Sequence, residues 1–343
     1  MKKTVLIISA TGLLLIVLWV PFSIGRAVLG FAPWGPKIGG KLPNGTMVYF
    51  DARPVAFETD DRLTVIAPGV APKHYWVDRV HGGFKHVVLK HDKTANTMQF
   101  PANWCQGRTA FGGLSAALLY QAMRNKVDSS RRLLSLSTNF VGPLLAEKPF
   151  SLSVEILREG KSSTQVLAKA IQDDAVCVIV QACFAKNRNS SINVPVSKSL
   201  TLHPVNEGHC LGFVPGKMPE FFQHVDLCPQ QGAMPFSSAQ TSHLGGWMRF
   251  KHKPEEITEA HVIALTDAWP PTLLQMFKQP APASSMSWYL EFVQAPNLVP
   301  GEWLGFEAIT HHSKDGYGLE DGCIWSQSGE LIALTRQTVA LFD

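Results

Sequence analysis

Residues 108–123 read RTAFGGLSAALLYQAM. From Leu114 onward this segment carries leucines and alanines at helical spacing and contains neither glycine nor proline, which predicts an α-helix. Because apolar residues occur nearly all round the helix, we expect it to be buried on most of its faces. Gly112 and Gly113 stand at its beginning, where the missing side chains allow another part of the molecule to approach the backbone closely.

The segments on either side of this helix have strand character. One strand over Thr97–Trp104 precedes it. Four strand-like runs follow it, at Leu133–Val141, Phe150–Arg158, Gln165–Asp173 and Ala175–Phe184. A strand, a long buried helix and four more strands form the order of a hotdog domain, in which a curved antiparallel sheet wraps around one helix. We assign this domain to residues 84–186.

The same order recurs in the C-terminal part of the chain. Trp247–Phe250 is strand-like, and a helical stretch around Asp267 lies within residues 257–278. Four further strands are predicted at Ser285–Val293, Trp303–His312, Tyr317–Trp325 and Leu331–Leu341. Two copies of one unit in one chain are the economical interpretation. The predicted fold class is therefore α+β, a double hotdog.

Spacing within the two copies supports the repeat. Gln181 follows Phe140 by 41 residues, and Gln337 follows Phe292 by 45 residues. Each glutamine stands in the last strand of its half. We assign the second hotdog to residues 243–343 and an interdomain linker, rich in proline, glycine and serine, to residues 187–242.

An apolar segment begins the chain. Residues 4–25 carry no charge and follow Lys2 and Lys3, and about 20 such residues in a helix span the hydrocarbon core of a membrane. We therefore predict a single-pass transmembrane helix within residues 1–26, with a cleaved signal segment as the alternative. Residues 27–83 are interpreted as a juxtamembrane linker region whose role stays open. The pair His81-Gly82 resembles a hotdog dehydratase motif but lies before the first hotdog helix, so we interpret it as a chance match.

Composition excludes several classes of protein. The apolar fraction of 45% predicts a globular core, and a net charge of +4 with scattered basic residues gives no nucleic-acid-binding stripe. The six cysteines form no CxxC pair, and none has zinc-ligand spacing to histidine, so we expect reduced, mostly structural thiols. His311 and His312 are adjacent on a predicted strand and point to opposite faces, which disfavours a metal site. No cofactor is expected.

Several segments together resemble the acyl-CoA thioesterase II family and its thioesterase-like relatives, which are double hotdogs. They are residues 104–113 (WCQGRTAFGG), residues 157–162 (LREGKS) and the C-terminal set of Asp267, Ser285 and Gln337. The resemblance covers roughly residues 95–185 and 243–342. It implies hydrolysis of fatty acyl-CoA to free fatty acid and CoA. It also implies that these three C-terminal residues hold the attacking water, with Ser285 in place of the more usual threonine.

The chemistry of thioester hydrolysis fits these residue types. Asp267 is the only one of the three that can take a proton at neutral pH, so we expect it to be the general base. Its expected position in a first helical turn would favour the ionised form. Ser285 and Gln337 can fix the water by hydrogen bonds. Substrate contacts are expected from Gly112, Gly113 and Arg108.

Other interpretations remain open. Asp267 is also a good helix cap, and Gln337 could make a structural hydrogen bond only. The glycine pair could serve helix packing, and Arg108 could be solvated. The alternative function is a catalytically inactive acyl-CoA-binding or scaffolding protein at the membrane. Since acyl-CoA is mainly cytosolic, we expect the catalytic part to face the cytosol. Homo-oligomerisation, acyl chain length and membrane sidedness are not determined by the sequence.

Overall fold

The computed structural model describes residues 97–342, together with the backbone of six strands within residues 1–78. The chain divides into two compact units, one formed by residues 1–79 and 85–98, the other by residues 80–84 and 99–343. The motif candidate His81-Gly82 lies outside the described residues.

The first unit contains only strands among its described residues. Strand β1 (Val5–Ala10) pairs antiparallel with β2 (Leu13–Leu18). A four-stranded sheet follows, composed of β3 (Lys37–Lys41), β4 (Met47–Asp51), β5 (Asp60–Ile66) and β6 (Lys73–Asp78). The predicted transmembrane helix is not shown. Where the structure describes the chain, no helix has the length and apolarity needed to cross a bilayer. β-Branched valines and isoleucines are frequent in β1 and β2 and favour strands.

The second unit begins with short elements and the predicted helix. A 3₁₀ helix (Ala102–Trp104) leads into β7 (Cys105–Gln106), β8 (Thr109–Ala110) and α1 (Gly112–Arg124). The four strands that follow are β9 (Arg132–Phe140), β10 (Ser151–Glu159), β11 (Ser163–Gln172) and β12 (Ala175–Ala185). The predicted helix and the four strands after it are confirmed, with boundaries shifted by a few residues. The strand predicted at Thr97–Trp104 is wrong, because residues 102–104 form a 3₁₀ helix after Pro101, which has no N–H group for a sheet hydrogen bond.

The C-terminal half contains six strands and one α-helix. Strand β13 (Val225–Gln231) precedes β14 (Leu244–Phe250) and α2 (Glu259–Thr266). Four strands close the chain: β15 (Ala283–Phe292), β16 (Leu304–Lys314), β17 (Tyr317–Trp325) and β18 (Leu331–Leu341). Three further 3₁₀ helices are Glu207–His209, Glu220–His224 and Thr272–Met276.

Ten strands form one antiparallel sheet in the order β10-β11-β12-β9-β15-β18-β17-β16-β14-β13. The two halves join where β9 pairs with β15, with Thr138 opposite Trp288 and Leu136 opposite Leu290. Counted outward from this junction, β9, β12, β11 and β10 correspond to β15, β18, β17 and β16. An antiparallel sheet covering two buried helices, α1 of 13 residues and α2 of 8 residues, confirms the predicted hotdog fold.

The two halves share their strand irregularities as well as their order. Leu134 in β9 and Met286 in β15 each stand as an extra residue in the pairing with the neighbouring strand. Leu157 in β10 and His311 in β16 do the same two strand pairs further out. A bulge changes which face the following residues point to. Matching bulges therefore give a residue-by-residue correspondence between the halves.

Helices α1 and α2 pack against each other on the inner side of this sheet. Most of α1 is buried, from Gly113 to Tyr120 and again at Met123, as its apolar character predicts. Thr258 caps the start of α2, and its backbone N–H donates to Nδ1 of His261 at 3.0 Å. Every residue from Ala260 to Thr266 in α2 is buried.

Residues 187–242, predicted as a linker, contribute an edge strand to the sheet. Strand β13 pairs with β14, and Cys228 in β13 forms a disulfide with Cys210. The expectation of reduced thiols is wrong for this pair. Cys228 packs with Trp247 and Trp303 in one buried cluster. Cysteine spacing did not reveal the bond because tertiary packing brings the two residues together.

Candidate active site

Asp267 lies at the C-terminal end of α2, not at a helix start. Helix α2 ends at Thr266, and Asp267 has the cap conformation with φ −83° and ψ 0°. Pro270 and Pro271 follow closely, and a proline disfavours helical backbone in the residue before it. The sequence analysis expected Asp267 in a first helical turn, which would put these prolines near the start of a helix. That placement is wrong, because the helix precedes them.

The helix N-terminus that lies next to Asp267 is the N-terminus of α1, in the other half of the molecule. The backbone N–H of Gly113 donates a hydrogen bond to the Asp267 carboxyl group. No side chain caps α1 at Phe111, and the first N–H groups of a helix have no partner within it. Asp267 therefore caps a helix of the other half of the molecule.

Gly112 and Gly113 are required for this approach. A Cβ atom on Gly112 would lie 2.8 Å from Oδ2 of Asp267. A Cβ atom on Gly113 would lie 2.6 Å from the carbonyl oxygen of Ala264 and 2.8 Å from Cβ of Asp267. These distances are too short for real carbon contacts, so only glycine allows α1 and Asp267 to meet in this way.

Ser285 and Gln337 are joined by a direct hydrogen bond. Ser285 Oγ donates to Gln337 Oε1 at 3.0 Å. Gln337 lies opposite Trp288 in the pairing of β15 with β18, and the bulge at Met286 returns Ser285 to the same face. Ser284 and Ser287 are thus excluded from this position, since strand neighbours point to opposite faces.

A fourth polar residue completes the network and was not identified from the sequence. Glu320 in β17 is only 5% exposed. Its Oε1 accepts a hydrogen bond from Nε2 of Gln337. Its Oε2 accepts from the backbone N–H of Thr272 at 2.8 Å and from Thr272 Oγ1 at 2.9 Å. A signal was present in the alternation of β17, which places Glu320 on one face with Gly318, Gly322 and Ile324.

The two carboxyl groups lie at one small cavity. Its lining includes Asp267, Glu320 and Gln337 together with Trp269, Trp288 and Phe306. Trp269 and Phe306 stack with ring centroids 5.5 Å apart, so one wall is aromatic. Arg108 is exposed near the turn between β7 and β8 and is not among the residues that line this cavity.

Burial controls the electrostatics of this cavity. It is the largest cause of the raised pKa of the Asp267 carboxyl, which is about 7. The N–H of Gly113 lowers this pKa, and the neighbouring charge of Glu320 raises it. Burial also raises the pKa of Glu320, against the hydrogen bonds from Gln337 and Thr272 that lower it. The expectation that a helix start keeps Asp267 ionised is wrong, because desolvation outweighs the donated N–H.

The N-terminal half lacks the corresponding polar set. The strand pairings place Leu133 where the other half has Ser285, and Ala182 where it has Gln337. Val166 corresponds in the same way to Glu320. Gln181, matched to Gln337 by spacing, is exposed on the opposite face.

The helices show the same asymmetry. Where Asp267 meets the start of α1, the start of α2 is met by a tyrosine of α1: the Tyr120 hydroxyl group donates to Glu259 at 3.1 Å. The inward-facing acid, serine and amide therefore occur together in only one half of the described structure.

Comparison with known proteins supports a family assignment. The acyl-CoA thioesterase N-terminal domain matches residues 100–185, and the acyl-CoA thioesterase C-terminal domain matches residues 201–341. Together these matches cover about two thirds of the chain. A search of curated proteins finds no significant match.

Solved structures show the same fold. A hotdog-fold protein of unknown function from Alicyclobacillus acidocaldarius is 23% identical, with a TM-score of 0.63 over 75% of this chain and 96% of that one. The acyl-CoA thioesterase II TesB2 from Mycobacterium marinum is 18% identical, with a TM-score of 0.55 over 75% and 96%. A tesB protein of Mycobacterium avium subspecies paratuberculosis is 17% identical, with a TM-score of 0.59 over 74% and 96%.

The two domain matches, in the order N-terminal then C-terminal, follow the two halves of the sheet. The chain belongs to the acyl-CoA thioesterase family and is a thioester hydrolase.

Proposed function

We propose that this protein is a double hotdog that hydrolyses fatty acyl-CoA to free fatty acid and CoA with an activated water molecule. One observation carries the proposal: the Asp267 carboxyl group meets the N-terminus of α1 at the same cavity that Gln337 lines. Ser285 is bonded to that glutamine. Water attack on a thioester needs a base, polar groups that hold the water and N–H groups that stabilise the oxyanion. Asp267, the hydrogen-bonded pair of Ser285 and Gln337, and the start of α1 supply these groups.

The proposed roles follow from the hydrogen bonds. Asp267 takes a proton from water, whose oxygen attacks the thioester carbonyl carbon. Ser285 donates its own proton to Gln337, so its lone pairs remain to accept a hydrogen bond from that water. As the tetrahedral intermediate collapses, the C–S bond breaks and Asp267 returns the proton to the CoA sulfur.

Gly112 and Gly113 receive different roles in this mechanism. The N–H of Gly113 is donated to Asp267 and orients the base. The N–H of Gly112, at the first position of α1, is the proposed donor to the developing oxyanion. The acyl group lies along the aromatic wall formed by Trp269, Trp288 and Phe306.

Thiol release from a panel of acyl-CoAs of increasing chain length tests this function with the full chain. We expect release with CoA thioesters and a chain-length optimum set by the aromatic wall. A folded protein that releases no thiol from any acyl-CoA would contradict the proposal and favour the binding or scaffolding alternative.

The pH dependence of kcat/KM provides a second measurement. Since Asp267 must be ionised to accept a proton and its pKa is about 7, activity should rise with pH through about 7 and fall by about tenfold per pH unit well below it. A profile that is flat between pH 5 and 8 would contradict a base with a pKa of about 7. For a carboxyl group at its ordinary pKa, the acid limb would lie near pH 4.

We further propose that the apolar N-terminal segment attaches the protein to a membrane, with the catalytic part on the cytosolic side. Support comes from the uncharged run of residues 4–25 and from the cytosolic location of acyl-CoA. Membrane fractionation of the full chain and of a variant lacking residues 1–26 tests this. We expect the full chain, but not the truncated one, to resist alkaline carbonate extraction. Extraction of both with carbonate would contradict attachment.

A further inference from the structure

Glu320 is a buried carboxylate at a position where the other half of the molecule has an apolar side chain. The matching pairings of β17 with β18 and of β11 with β12 make Val166 its counterpart. Val166 is fully buried and Glu320 is 5% exposed. Thr310, opposite Glu320 in β16, likewise corresponds to Ile156. Because a buried acid is unfavourable unless it is bonded, the sheet itself does not require Glu320.

The groups around Glu320 all donate hydrogen bonds to it. They are the Nε2 group of Gln337, the backbone N–H of Thr272 and the Thr272 hydroxyl group. A carboxylate can only accept, so the Gln337 amide must turn its nitrogen toward Glu320. Its oxygen then faces Ser285 and accepts the serine proton at 3.0 Å.

The direction of this chain of hydrogen bonds determines what Ser285 can do. With its proton held by Gln337, Ser285 presents lone pairs and accepts a hydrogen bond from a neighbouring water. If the amide were reversed, Gln337 would donate to Ser285, and the serine proton would point at the water instead. A water that accepts from serine has its own lone pair engaged and is a poorer nucleophile.

We propose that Glu320 is a positioning residue that orients the Gln337 amide, and through it the Ser285 hydroxyl, for water attack. This inference rests on the proposed thioesterase mechanism. It assigns Glu320 an action through Gln337, without contact to substrate. A purely structural role, fixing Thr272 at the start of its 3₁₀ helix, is the competing explanation.

The Glu320→Gln variant separates the two explanations with little change in shape. Gln at this position can accept from Thr272 and donate to Gln337, which reverses the Gln337 amide. We expect kcat to fall about 100-fold, the effect of a misplaced reacting group, with KM changed by less than about threefold. Because the Glu320 charge contributes to the raised pKa of Asp267, the acid limb of the pH profile should also move to lower pH.

Two comparisons complete the experiment. Glu291→Gln removes an exposed carboxylate from β15 and should leave kcat and the acid limb unchanged. In a Gln337→Leu background the additional effect of Glu320→Gln on kcat should largely disappear, because residues that act through one another are not additive. Full additivity of the two substitutions, or parent kcat in folded Glu320→Gln, overturns the inference.

The remaining outcomes are also decisive. A lower melting temperature of Glu320→Gln with unchanged kcat and acid limb would establish the structural role alone.

If that variant does not fold, Glu320→Asp replaces it. The shorter acid keeps the charge but cannot reach both Gln337 and Thr272, so kcat should fall while the acid limb stays in place, and parent kcat would overturn the inference. Absence of thiol release from the parent protein would instead remove the proposed function itself.

Discussion

Asp267→Asn is expected to lower kcat by about 10²–10⁴-fold while the protein stays folded. Asn has the same shape and can still accept the N–H of Gly113, so the contact between α1 and Asp267 is retained. It cannot take a proton from water, so the chemical step loses its base. Single-turnover thiol release with a saturating acyl-CoA measures this step directly.

The same substitution should stabilise the protein at alkaline pH. The pKa of Asp267 is raised from 3.8 to about 7 in the folded state, so the unfolded chain ionises first. The folded state therefore loses stability as pH rises from about 4 through 7. Asn removes this loss, so the gain in free energy of unfolding relative to the parent should be larger at pH 8 than at pH 5.

Denaturant unfolding of both proteins at the two pH values checks this result. Loss of turnover together with a pH-dependent gain in stability would identify Asp267 as a base kept at the expense of stability. Retained turnover in the folded variant would leave the acid as a helix cap only. A change in stability that is the same at both pH values would contradict the raised pKa of Asp267.

Gly113→Ala is expected to lower the free energy of unfolding by about 1–3 kcal/mol and to reduce thiol release as well. The added Cβ would meet the Ala264 carbonyl oxygen at 2.6 Å and both Asp267 Cβ and Phe111 Cζ at 2.8 Å. Two of these contacts are with α2 and its cap, so the helices must separate to admit the methyl group. Separation also withdraws the Gly113 N–H from Asp267 and misplaces the proposed base.

Helix propensity alone would make Gly113→Ala more stable, so a loss of stability can be attributed to the clash. Ala is favoured over Gly in a helix by about 1 kcal/mol, so a variant without the clash would be stabilised. Gly212→Ala is the control, because its Cβ would have no atom within 4 Å and should change stability by less than about 0.5 kcal/mol. Denaturant unfolding that shows Gly113→Ala to be as stable as the parent would refute the close helix contact.

Local pattern was sufficient for α1 and for most strands of the two halves. The leucines and alanines after Gly113 predicted α1, and the alternating runs predicted the strands of both halves, because the periods of helix and strand are written in adjacent residues. The choice of Asp267, Ser285 and Gln337 came from a family resemblance, and the structure places all three around one network.

Other properties of the site depend on contacts between residues distant in sequence. Asp267 is followed by two prolines, which fit a helix start as well as a helix end, so its position after α2 and its capping of α1 could not be decided locally. The bulge at Met286 decides that Ser285, rather than Ser284 or Ser287, faces Gln337. A bulge is set by hydrogen bonding to the partner strand, which a single strand sequence does not encode.

Glu320 illustrates the difference between what the sequence and the tertiary structure determine. From the sequence, an acid beside Asp321 in a strand is most simply a solvated surface residue. Only the packed sheet buries it, surrounds it with donors and brings its charge to Asp267. The sequence by itself determined α1, most strands of the two halves and their repetition, since these follow from local periodicity. The tertiary structure decided the protonation and orientation of the proposed catalytic groups, since burial and hydrogen-bond direction arise only where distant segments meet.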